Sequence, residues 1–156
     1  MSSILHDIAD AVKDLLDGAS LSKSFTSRLV YDTELQLEDL DTLHVDLVAA
    51  GLSVAPESRA SLEYNALIDI AVRYRFGVLE QETDGSIDVE EIAEYLELLE
   101  EIGEHLAAPA NRQLATTTPA TWLNNEIRFP WVPEHLRSNR QYTGILRATY
   151  YAAKDL

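Results

Sequence analysis

Few residues of this 156-residue chain are spaced for bond-making chemistry, and the clearest local pattern is acidic. From Glu80 to Glu91 the residues fall in register with a calcium-binding loop, with acids at positions 1, 3, 5, 9 and 12 and glycine at 6. Glu80 and Glu82 carry one methylene more than the aspartates such a loop is shaped for. The segment before it reads as a strand rather than a helix, and no second loop of this kind follows. It therefore reads as a turn on Asp84-Gly85 leading into the acidic first turn of a helix. The four histidines, His6, His44, His105 and His135, lack paired ligand spacing, so neither a metal nor a cofactor is expected. No nucleophile elbow, glycine-rich phosphate loop or zinc-protease motif occurs, and the chain has no cysteine. No catalytic residue is assigned, and the chain is not expected to be an enzyme.

The residue types of recognition are better represented. Both tryptophans, Trp122 and Trp131, share one segment with Arg128, Arg137 and Arg140. Trp and Arg bury large areas while keeping a polar handle, so these five are the candidate subunit or partner interface. The plainer alternative puts one tryptophan in the core and the other over a loop. Charge adds to the picture. The chain carries 12 basic and 27 acidic side chains, a formal net charge of −15. Residues 1–110 hold 6 basic against 24 acidic, whereas residues 111–156 hold 6 basic against 3 acidic. Such a surface repels nucleic acid over most of its extent, because phosphate binding needs a cationic footprint. An acidic body with an arginine-bearing C-terminal third instead suits complementary docking, including head-to-tail contacts between identical chains. Solubility alone is the plainer account of the same charge.

The elements that must position these residues form a single domain over 1–156, since a chain of this length buries about two-thirds of its unfolded surface. No run of 18 apolar residues exists, so no membrane span is expected, and the N-terminus lacks the pattern of a secretory signal. Ile4, Ile8, Val12 and Leu16 define the apolar stripe of a helix over 3–17, capped by Ser2 or Ser3 and closed by a left-handed Gly18. Residues 28–31 read as a short strand and 33–41 as extended or loop. Leu43, Val45 and Leu47 mark a strand ending near Gly51, with Pro56 closing the region. Leu62, Tyr64, Ala66, Ile68, Ile70, Val72, Tyr74 and Phe76 alternate through a long strand, with Asp69, Arg73 and Arg75 on its other face beside Asp46. A second helix spans 88–106, with Asp88 at its cap and Pro109 beyond its end. Residues 108–119 read as a low-order segment, 121–129 as a strand, 130–139 as a loop and 140–152 as a final strand. The expected fold is α+β: one mostly antiparallel sheet of four to five strands with two helices packed on one face.

The opening Ser3-Ile4-Leu5-His6-Asp7-Ile8-Ala9-Asp10-Ala11-Val12, the long Tyr64–Phe76 strand, the Glu90–Leu106 helix and the closing Arg140-Gln-Tyr-Thr-Gly-Ile-Leu strand together resemble small virion proteins of long-tailed bacteriophages. The chain is similar to the tail terminator (tail completion) proteins of the head–tail junction. That resemblance implies a structural protein of the virion, assembled in the host cytoplasm. It implies a ring, a hexamer, that caps the tail tube and joins it to the head, with DNA passing through the channel as cargo. The implied partners are other copies of the chain, the tail tube protein and a head-closure or connector protein. Residues 21–41 and 108–119 are the implied contact loops. Another neck protein (head closure or adaptor) is the near alternative. An acidic DNA mimic that inhibits a nucleic-acid-binding enzyme is the distant one.

Overall fold

The computed structural model describes residues 3–31, 42–76 and 88–156. Helix α1 (Ile4–Asp17) begins where the Ser3 hydroxyl accepts the His6 N–H at 3.2 Å, and it buries Ile8, Ala9, Val12 and Leu16. Gly18 ends it with φ −86°, a right-handed conformation, so the expected left-handed stop is not used. Helix α2 (Val89–Ala107) starts at Asp88, whose carboxylate accepts the Glu90 N–H at 3.0 Å, and it buries Leu98, Leu99, Ile102 and Leu106. The reading of 33–41, and that of the 77–87 turn with most of the calcium-loop register, lie outside the described residues.

Six strands make one sheet, in the order β1–β2–β3–β6–β5–β4. They are β1 (Ser27–Val30), β2 (His44–Ser58), β3 (Ser61–Arg75), β4 (Gln113–Leu114), β5 (Ala120–Phe129) and β6 (Gln141–Asp155). All pairings are antiparallel except β1 with β2, which is parallel. The even-numbered face of β3 and the matching face of β6 (Leu146, Ala148, Tyr150, Ala152) are buried under α1 and α2, as their alternation requires. Tyr74, Phe76, Tyr95 and Tyr142 close one end of this core, with Tyr95 and Tyr74 stacked at 4.9 Å between centroids.

This is not the expected sheet of four to five strands with two helices on one face. Among the described residues it is a six-stranded mixed sheet curled into a half-barrel, with three α-helices. Three local causes account for the difference. The first is that β2 does not stop at Gly51. It runs on through a register shift at Ala49/Gly51, and Pro56 is accommodated because, among the described residues, β1 covers only Val45–Val48 and leaves the far part of β2 at an edge. The second is a third helix, α3 (Pro133–Asn139), in a segment whose two prolines suggest a loop. Pro133 occupies the first turn, where its missing N–H costs nothing. His135 of α3 meets Thr143 at 2.8 Å, so α3 lies on the sheet face opposite to α1 and α2. The third is the low-order segment, which contains a 3-10 turn at Pro109–Asn111 and the two-residue β4. Helix α1 packs on β1 and β2 and also touches β4, at the other end of the strand order, as a curled sheet allows. Twist accumulated over six strands, and shifts of register in β2 and β5, bend the sheet toward that closure.

Asp17 ties α1 to the sheet edge. Its Oδ1 accepts the Ser27 N–H at 2.8 Å and the Ser27 hydroxyl at 2.7 Å, and its Oδ2 meets Lys13 at 2.8 Å. Partial desolvation opposes ionisation, but these hydrogen bonds outweigh it and hold the carboxyl below the ordinary carboxylate range. The stability this contributes is therefore present above the unfolded-state value, about 3.9, and is lost as pH falls through the lower folded value. Asp17→Asn is expected to lose about 1–2 kcal/mol at pH 7, and to narrow its gap from the parent protein in urea melts taken below about pH 4. A gap independent of pH would show that the carboxylate charge is not what holds the joint.

Candidate interaction surface

The five sequence-selected residues do not gather at one point. Strand β5 carries Trp122 and Arg128, helix α3 carries Arg137, Trp131 lies in the turn between them, and Arg140 sits where α3 meets β6. Trp122 is half-buried against the core, donates from Nε1 to Asn125 Oδ1 at 2.9 Å, and lies 5.3 Å under the Arg112 guanidinium. It is the core tryptophan of the plainer alternative. Trp131 remains 45% exposed. Arg128 projects from β5 at the register shift between Ile127 and Phe129, and Arg137 is exposed on α3. Arg140 is a joint rather than a free cation. Its backbone takes the left-handed conformation (φ 51°) that ends α3, and its carbonyl accepts the Phe76 N–H at 2.8 Å.

On the outer face these elements enclose a cleft of about 540 Å³, bounded by Phe129, Trp131, Pro133, Arg137 and Ile145, with the buried Arg73 at its base. Its lining combines these aromatic and apolar side chains with both signs of charge, Arg137 and Glu134 among them. The inner face is different. Between α2 and β5 runs a groove of about 510 Å³, lined by Ile127, Asn125 and Trp122 on one side and by Glu100 and Glu104 on the other. Gly103 forms its floor, and its carbonyl accepts from Asn125 Nδ2 at 2.8 Å. Helix α2 carries seven glutamates and no lysine or arginine. Of these, Glu94 pairs with Lys23 at 3.1 Å and Glu101 accepts the Ser22 N–H at 2.8 Å.

On the outer sheet face Asp46 has Asp69 and Arg73 as diagonal neighbours, as the hairpin reading expects, and two ion pairs form there. Asp46 lies opposite Ala71, and its partner is Arg28 of the parallel strand β1, at 2.9 and 3.3 Å. Asp69 pairs with Arg147 directly across β3 and β6, at 2.7 and 3.0 Å. That doubled hydrogen bond raises the Arg147 guanidinium above its already high ordinary value. The histidines are dispersed: His6 meets Tyr31 at 2.8 Å, and His105 meets the Leu15 carbonyl at 3.1 Å. Among the described residues, no three metal-binding side chains come together.

Sequence reasoning misses the two sheet edges. Strand β4 pairs with β5 only at Ala120 and Thr121, and the Trp122 N–H donates to the Arg112 carbonyl. Beyond that point, among the described residues, β5 has a neighbour only on its β6 side, while Leu123, Ile127 and Phe129 are 46%, 37% and 48% exposed. At the opposite end of the strand order, among the described residues, no strand pairs with β2 on its outer side beyond Val48, and Leu52 and Val54 are exposed there. The signal for the second edge was present: Leu52, Val54 and Pro56 alternate with Ser53 and Ala55. No protein-family model matches the chain, and no curated protein shows significant similarity to it.

Proposed function

We propose that this chain is a structural protein of the head–tail junction of a long-tailed bacteriophage, of the tail-terminator kind, acting as a closed ring that caps the tail tube and joins it to the head. The observation that carries this reading is the pair of sheet edges, one along β2 and one along β5, that β1 and β4 cover only in part among the described residues. Two different edges on one molecule favour head-to-tail addition, and head-to-tail addition either closes into a ring or runs on as a filament. A formal charge of −15 suits a ring whose channel passes DNA without holding it. The aromatic and basic cleft beside α3 is a docking place for a neighbour above or below the ring. In this reading the protein works by assembly, with no turnover and no cofactor.

The test is an electron micrograph and a solution mass of the purified chain, followed by addition to growing tail tubes. A closed ring, with a hexamer near six times 17.4 kDa, that halts tube growth is the expected result. A monomer at every concentration and salt would overturn it. The seven glutamates of α2 favour one other reading, an acidic decoy for a nucleic-acid-binding enzyme. A tight one-to-one complex with such an enzyme, lost as salt is raised, would replace the ring reading.

A further inference from the structure

We infer that the groove between α2 and β5 is a docking site for an extended segment of a partner protein in which lysine or arginine alternates with apolar residues. The inference goes beyond the ring reading and stands whether or not copies of this chain assemble. Glu100 and Glu104 are both exposed and sit one turn apart on α2, about 6 Å along the helix axis. Across the groove from them stand Trp122 and Ile127 of β5. In an extended chain, side chains two residues apart point the same way and lie about 6.6 Å apart. A segment laid along α2 therefore sets two successive bases against the two carboxylates. The apolar residue between those bases turns toward Trp122 and Ile127. Asn125 holds this wall in place, since it accepts from Trp122 Nε1 at 2.9 Å and donates to the Gly103 carbonyl at 2.8 Å.

Charge selects a basic occupant. Neither glutamate has a salt-bridge partner among the described residues. The remaining residues, 1–2, 32–41 and 77–87, contain no lysine, arginine or histidine, so their side chains bring no cation to the groove. Arg112 borders it at one end, lying over Trp122 with its Nε donating to the Ala107 carbonyl at 2.7 Å. Two carboxylates against that one cation leave negative charge in excess. The opposite flank of α2 shows the same chemistry satisfied within the chain. There Leu21 and Phe25 pack on the core, and Lys23 between them reaches Glu94 at 3.1 Å and lies 4.5 Å from the centre of the Tyr95 ring. A second copy does not supply the matching segment. Arg73 and Arg75 are the chain's only two bases spaced two residues apart, and Arg73 is already paired within the sheet to both His44 and Thr143.

Trp131→Phe leaves Trp122 as the only tryptophan, so its emission reports on the groove. A short peptide alternating lysine with valine is expected to shift that emission saturably, with an affinity that falls as salt is raised. Glu100→Gln/Glu104→Gln should weaken binding about tenfold. Glu90→Gln/Glu91→Gln, the same change of charge in the first turn of α2, should leave it unchanged. Ile127→Ser should weaken it as well, through the apolar wall. Circular dichroism melts confirm that each variant is folded. No saturable shift, an equal shift with glutamate in place of the peptide's lysines, or equal losses in the two glutamine pairs would overturn the inference. Self-association of the chain that disappears in Glu100→Gln/Glu104→Gln would replace the partner by a second copy. A ring-forming protein that ignores the peptide sinks this contact alone, whereas a strict monomer that binds it sinks the ring reading alone.

Discussion

Gly144→Ala is expected to destabilise the chain by about 2–3 kcal/mol, with the midpoint of thermal unfolding lowered on the order of 8 °C. A β-carbon at position 144 would stand 2.5 Å from the Tyr142 hydroxyl oxygen, 2.9 Å from its Cζ and 3.0 Å from a methyl of Leu99. None of these yields easily. Tyr142 is fully buried and its hydroxyl donates to the Pro130 carbonyl at 2.6 Å, while Leu99 lies in the centre of α2's buried face. Burial also raises the Tyr142 phenol well above its ordinary value, so the ring stays neutral and the donor is never lost near neutral pH. Gly103 offers the contrast. Its added carbon would meet chiefly the end of the Leu146 side chain at 2.9 Å, which can turn aside, so Gly103→Ala should cost less. Combining Gly144→Ala with Tyr142→Leu tests the cause, because removing the ring removes the clash. The double variant should lose clearly less than the two single losses added together. Strict additivity, or a Gly144→Ala protein within 0.5 kcal/mol of the parent, would show that the sheet absorbs the methyl elsewhere.

The second large effect belongs to Arg28. Its guanidinium forks onto the carboxylate of Asp46, which is fully buried, while Arg28 itself keeps 44% of its side-chain surface in solvent. The pair is thus asymmetric. Removing the carboxylate and removing the guanidinium have different consequences, since only the carboxylate has been taken out of water. Arg28→Ala leaves a buried negative charge without its counter-ion and is expected to cost about 3 kcal/mol. Arg28→Ala/Asp46→Ala removes both ends of the problem and should recover a substantial part of that loss. Urea unfolding of the four proteins closes the cycle. A double variant no more stable than Arg28→Ala would mean that the pair matters through packing and not through charge. Because this contact fastens the parallel strand β1 to β2, its loss should also expose more of the β2 edge.

Much of this protein was legible in its residues. The period-two run from Leu62 to Phe76 marks β3 because a side-chain alternation that long cannot be laid on a helix, and the stripe from Ile4 to Leu16 marks α1 for the converse reason. Caps, turn residues and alternation are local, so they read out from the chain without knowledge of its neighbours. Helix α3 resisted that reading because seven residues are too few to show a period, and β4 because two residues make a strand only once β5 is there to pair with. Strand β1 runs parallel to β2, a sense of pairing that no local signal carries.

The recognition residues divide along the same line. Composition singled out Trp and Arg as a class, but it could not tell Trp122, packed on the core, from Trp131, left 45% open. Nor could it tell that Arg140 serves a helix end. Helices, long strands and the charge imbalance between the two parts of the chain follow from the order of residues alone. Which edges are left unpaired, which carboxylate is buried and which face α3 covers depend on segments far apart in sequence being brought together, and only the folded sheet decides them.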